Sequence, residues 1–120
     1  MSQENNRRLF DRVKMSLSTQ GQSMEEWRTS HHFAAQTRDA SPRGLGLSVT
    51  DPDRFKAGQS VRISVSCKED ESPIQVLGLI RWISNPEDAL PQPALGVELT
   101  GMASVRDYDR WIRMLNQDNS

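Results

Sequence analysis

Apolar and polar residues alternate with period two over much of the chain. In "VKMSLS" (13–18) Val13, Met15 and Leu17 alternate with Lys14, Ser16 and Ser18. In "SVRISVSC" (60–67) Val61, Ile63, Val65 and Cys67 alternate with Arg62, Ser64 and Ser66. Successive side chains of a strand point to opposite faces, so each stretch predicts a half-buried antiparallel strand. "GLGLSV" (44–49), "IQVLGLIRWIS" (74–84) and "ALGVEL" (94–99) are further strand candidates, separated by the breaker-rich "DPDRFKAGQ", "KEDESP" and "NPEDALPQP". Helical spacing is confined to the end, where Tyr108, Trp111, Ile112 and Leu115 fall at i, i+3, i+4, i+7 behind Ser104 and Asp107, a weak capping pair. Short strands followed by one amphipathic helix predict a mainly β chain: a small antiparallel barrel with the helix over one open end. The stretch "TQGQSMEEWRTSHHF" (19–33) carries neither period and reads as a long hairpin tip or a partly helical insertion.

Length and charge narrow the picture. At 120 residues the chain is one domain with one core. Residues 1–6 and 116–120 are polar and aperiodic, and are expected to be flexible tails around a domain at 7–115. Lys and Arg number 15 against 16 Asp and Glu, a net charge of -1, so an anion must be recognised by a local cluster. That balance, with 6% aromatic residues, disfavours a nucleic-acid-binding barrel. Cys67 is the single cysteine, so no intrachain disulfide can form, which fits a reducing compartment. The N-terminus lacks an apolar export segment and no apolar run is long enough to span a bilayer, so a cytoplasmic protein with no direct membrane insertion is expected.

The local cluster is "RRLFDRV" (7–13), which places Arg8 and Arg12 in RxxxR spacing with Arg7 before them. A second element, "DASPRG" (39–44), places Asp39, Ser41 and Gly44 in DxSxxG spacing. On an extended backbone Asp39 and Ser41 share a face, and Gly44 can take a positive φ or allow close approach of a ligand. Guanidinium groups suit phosphate oxygens or the O6/N7 edge of guanine, while a carboxylate accepts from guanine's N–H edge. Together these groups point to a guanine nucleotide or another phosphorylated ligand.

The order RRxxxR at the head of a first strand, DxSxxG, a strand ending "IRW", then "LGVEL" before a terminal helix resembles the PilZ domain family over roughly residues 7–115. The resemblance implies a six-stranded antiparallel β-barrel with a C-terminal helix that binds the bacterial second messenger cyclic di-GMP. It implies ligand contacts by Arg8 and Arg12 and by Asp39, Ser41 and Gly44, with Arg7 in a position associated with uptake of a stacked ligand pair. Binding would fold the N-terminal segment over the ligand and change the surface offered to a protein partner in motility, exopolysaccharide synthesis or virulence. Relatives that lack the motifs serve as ligand-independent modules of pilus or secretion assemblies, which is the alternative here. The expected state is a monomer or weak dimer.

Other candidates read more plainly. His31 and His32 are adjacent, so on a strand they face opposite ways, and no metal site is expected. Arg81 and Trp82 should likewise face opposite ways, leaving Arg81 at most an auxiliary contact. Trp111 belongs to the helix's apolar stripe, Arg43 reads as solvent-facing, and Trp27 is undetermined. No phosphate-binding loop, nucleophile elbow or HExxH motif is present, and Cys67 reads as a small buried hydrophobe. An enzyme is not expected, nor a cofactor beyond the ligand.

Overall fold

The computed structural model describes residues 13–25, 28–67, 71–84 and 92–117. The strands are β1 (Val13–Lys14), β2 (Ser18–Glu25), β3 (Arg28–Ser41), β4 (Gly44–Ser48), β5 (Ser60–Val65), β6 (Ile74–Ile83) and β7 (Ala94–Met102), followed by helix α1 (Val105–Gln117). All pairings are antiparallel, in the order β1-β3-β2-β5-β6-β7-β4, and β4 returns to pair with β3. That last pairing closes six strands into a barrel and leaves β1 as a short extra strand on β3. Closure removes the unpaired backbone edges that an open sheet of this size would present.

The interior follows the alternation. Leu45, Leu47, Val61, Ile63, Val65, Ile74, Val76, Ile80, Leu95 and Val97 are buried from every side of the barrel. Helix α1 lies across the end formed by the close of β3, β5 and β7 and the start of β6. There Trp111 Nε1 donates to Ser41 O (3.0 Å), Gln75 N donates to Asp107 Oδ2 (3.2 Å), and Cys67 Sγ sits 3.1 Å from Met114 Sδ. Trp111 and Leu115 are buried plugs, 0% and 4% exposed. Ser104 caps the helix as expected, its Oγ accepting from Asp107 N at 3.1 Å.

Several expectations need correction. Tyr108 is 51% exposed, because the helix turns Asp107 toward β6 in its place, where the carboxylate meets Gln75 N. Cys67 lies two residues beyond β5 and is half-buried. Of the two readings of residues 19–33 the helical one is overturned: residues 18–25 and 28–33 belong to two long paired strands, Gly21 opposite Phe33, with a register shift between Ser23 and Met24. The inward positions of β2 are filled by small residues, Thr19, Gly21 and Ser23. A Cβ at Gly21 would overlap the Phe33 ring, which packs edge-on against Phe55 with centroids 4.9 Å apart. The turn at 26–27, and with it Trp27, lies outside the described residues.

The predicted first strand keeps its burial alternation but is interrupted between Lys14 and Ser18. Thr37 bridges the gap. Its Oγ1 accepts from Leu17 N (2.7 Å) and donates to Met15 O (2.9 Å), and its own N–H donates to Leu17 O (2.9 Å). Replacing Thr37 with valine keeps the shape and strands the Leu17 N–H, so unfolding free energy should fall by about 1–3 kcal/mol in a urea titration. An unchanged midpoint would show that this bridge carries no net stability.

Candidate ligand-binding site

Of the predicted site residues, Arg7, Arg8 and Arg12 lie outside the described residues, whereas Asp39, Ser41 and Gly44 sit on one hairpin. Ser41 pairs with Gly44 across the turn residues Pro42 and Arg43, and Arg43 is exposed as expected. The proline ring supplies the φ that the second position of such a turn needs. Both ends of the turn are tied down: the Ser41 carbonyl accepts from the Trp111 indole and the Arg43 carbonyl from Leu99 N (2.9 Å). Gly58 is the positive-φ glycine among the described residues, so Gly44 does not take the positive φ that its place in the motif allowed.

Register extends this hairpin into a surface. Asp39 pairs with Gly46, Gly46 with Gly96, and Gly96 with Trp82, one continuous row across β3, β4, β7 and β6. The neighbouring row runs Ser41, Gly44, Glu98, Leu79. Leu45, Leu47, Leu95 and Val97 of the same strands point into the core, so Gly44, Gly46 and Gly96 occupy the outer face. A Cβ at Gly46 would overlap the Asp39 carboxylate, and one at Gly96 would overlap the Trp82 indole. Glycine therefore lets both side chains lie down on the sheet, and Trp82, 44% exposed, presents a ring face outward. Glycines inside strands weaken them and recur where another group must approach the backbone.

Two β-bulges bound the surface. The pairing of β3 with β4 shifts between Thr37 and Asp39, and that of β6 with β7 shifts between Ile80 and Trp82. An extra residue breaks the alternation, so Arg81 and Trp82 are both exposed instead of facing opposite ways, and Arg38 is exposed beside Asp39. Arg81 Nε donates to Glu98 Oε2 in an exposed ion pair. Among the described residues no group of three or more His, Cys, Asp or Glu is placed to hold a metal, and His32 is exposed. Gly46, Gly96 and Trp82 are thus added to the residues the motifs picked out. The signal for the two glycines was the apolar alternation of "GLGLSV" and "ALGVEL", which hands the outward positions to glycine.

Comparison with known proteins gives this surface a context. The family model described as PilZ domain matches residues 6–117. The chain belongs to the PilZ domain family. Among solved structures it is similar to the Bacillus subtilis inhibitor of motility MotI/DgrA, with a TM-score of 0.71 at 18% identity over 92% of this chain and 50% of that one. It is also similar to the PilZ domain of YcgR from Escherichia coli, solved with c-di-GMP, with a TM-score of 0.68 at 14% identity over 94% of this chain and 92% of that one. The chain therefore spans half the length of the first structure and nearly all of the PilZ domain in the second. No curated protein matches the chain. At these identities the likeness establishes the PilZ barrel and its terminal helix. No helix among the described residues is long and apolar enough to cross a membrane.

Proposed function

We propose that this PilZ domain is a receptor for cyclic di-GMP that docks the ligand on the outer face bounded by Asp39, Ser41, Gly44 and Trp82. The observation that carries the reading is the row Asp39–Gly46–Gly96–Trp82, which sets a carboxylate and an aromatic face about three strand spacings, roughly 14 Å, apart with only glycine between. The carboxylate accepts from the N–H edge of one guanine, and the indole face stacks a base. Arg7, Arg8 and Arg12 supply the guanidinium groups for phosphate and guanine and close over the bound ligand. Strand β1, which follows Arg12 in sequence, supports this assignment, since Val13 pairs with Ala40 and Lys14 with Asp39. The domain acts by binding and not by catalysis, and passes the signal on through the surface changed at its N-terminal segment. The likeness to an inhibitor of motility makes a motility apparatus the first partner to test.

Calorimetric titration with cyclic di-GMP, with GTP and cyclic GMP as controls, tests the reading. Selective binding supports it, and the stoichiometry distinguishes one ligand from a stacked pair. No binding by two independent methods would move the function to ligand-independent protein interaction on the same fold. Asp39→Ala should reduce the preference for cyclic di-GMP over cyclic di-AMP by about tenfold, the scale of one charge-assisted hydrogen bond. Equal losses for both ligands would remove Asp39 from guanine recognition.

A further inference from the structure

We propose that the bulge arginines, Arg38 and Arg81, are a second pair of anion contacts carried by the barrel itself, and that Glu98 holds Arg81 until a phosphate replaces it. The inference rests on the cyclic di-GMP reading above and deepens it.

The two bulges stand at opposite ends of the same row. On β3 the bulge puts Arg38 on the outside next to Asp39; on β6 it puts Arg81 on the outside next to Trp82. Strict alternation would have turned one member of each couple toward the core. Each end of the glycine surface therefore carries a group suited to a base and, beside it, a guanidinium suited to a phosphate. A cyclic dinucleotide has the matching arrangement, with two bases and two phosphodiesters on opposite sides of one ring.

Charge on this face agrees. Lys14, Arg38, Arg43 and Arg81 are exposed around it against the carboxylates Asp39 and Glu98, a local positive surplus on a chain whose net charge is -1. Glu98 stands directly across from Gly44, in the row of Ser41, so its ion pair draws Arg81 toward the surface the ligand would occupy. Side-chain exposures of 52% for Arg81 and 48% for Glu98 place that pair in the range where water and salt weaken it. A dianionic ligand can therefore displace the Glu98 carboxylate, while the pair keeps the unliganded guanidinium oriented.

The experiment is titration of the full chain and four variants with cyclic di-GMP, with folding checked by circular dichroism. Arg38→Ala and Arg81→Ala should each weaken binding about tenfold, as expected for a lost charge-assisted contact. Glu98→Gln should tighten binding roughly two- to fivefold by removing the competing carboxylate. The Arg81→Ala, Glu98→Gln double variant should match Arg81→Ala alone, because Glu98 acts through Arg81. Wild-type affinity in both arginine variants would overturn this inference and leave the receptor reading intact. Weaker binding by Glu98→Gln would overturn the displacement step and make Glu98 a direct ligand contact. Absence of binding by the unaltered chain would overturn the receptor reading and this inference with it.

Discussion

A Trp111→Ala variant is expected to lose about 3–5 kcal/mol of unfolding free energy, the range for removing a large aromatic side chain from a core. Trp111 is fully buried among the barrel residues it covers, and its indole N–H donates to the Ser41 carbonyl at 3.0 Å. Truncation opens a cavity at the barrel end and leaves that buried carbonyl without its donor. Urea unfolding should show a lower midpoint with a similar slope, the sign of a stability change without a change in the surface exposed. Trp111→Phe separates the contributions: it keeps most of the packing and loses the hydrogen bond, at a cost of about 1 kcal/mol. If Trp111→Ala unfolds at the wild-type midpoint, α1 does not plug the barrel. Because the same indole fixes the Ser41–Gly44 turn, Trp111→Phe should also loosen the hairpin that carries the DxSxxG segment.

The largest effects on binding are expected at Arg8 and Arg12. Each of Arg8→Ala and Arg12→Ala should cost on the order of 1.5–3 kcal/mol of cyclic di-GMP affinity, the range for hydrogen bonds to charged groups. Stability should stay at the wild-type value, since neither residue belongs to the alternation that fills the barrel. The affinity loss should shrink with added salt, because screening already weakens the attraction in the parent. Unchanged affinity in both variants would sink their assignment as the phosphate-binding pair. A loss of affinity together with a lower unfolding midpoint would point instead to a structural role at the head of β1.

The barrel was legible wherever inward positions were branched or aliphatic. Val61, Ile63 and Val65 announce β5, and Ile74, Val76 and Ile80 announce β6. The β2–β3 hairpin was hidden because the inward positions of β2 are Thr19, Gly21 and Ser23, small groups that make room for Phe33. There the period of two is one of size, with glutamines at the outward positions 20 and 22, and a hydrophobicity pattern cannot register it. The helix was placed correctly, but its buried edge was set by a polar contact, Gln75 N to Asp107, that no apolar stripe encodes. At the site, DxSxxG was readable as spacing, whereas the couples Arg38–Asp39 and Arg81–Trp82 depend on bulges. A bulge arises from how a strand pairs with its neighbour and not from the strand's own residues alone, so spacing along one strand does not give it.

The pairing of β3 with β4 has a mechanical consequence for the opening of the chain. Since those strands close the ring without β1, the barrel's cooperative unit is complete from Ser18 onward. Among the described residues Val13 and Lys14 pair with Ala40 and Asp39, and the linkage from there to β2 rests on a few bonds: the Met15 N–H to the Arg38 carbonyl, and the side chain and N–H of Thr37 to Met15 and Leu17. Such a join can part at a small fraction of the free energy of global unfolding. The leading strand is thus a tab on a sealed vessel: it can be lifted and pressed back while the wall beneath stays shut, with its far side fastened beside the carboxylate of Asp39.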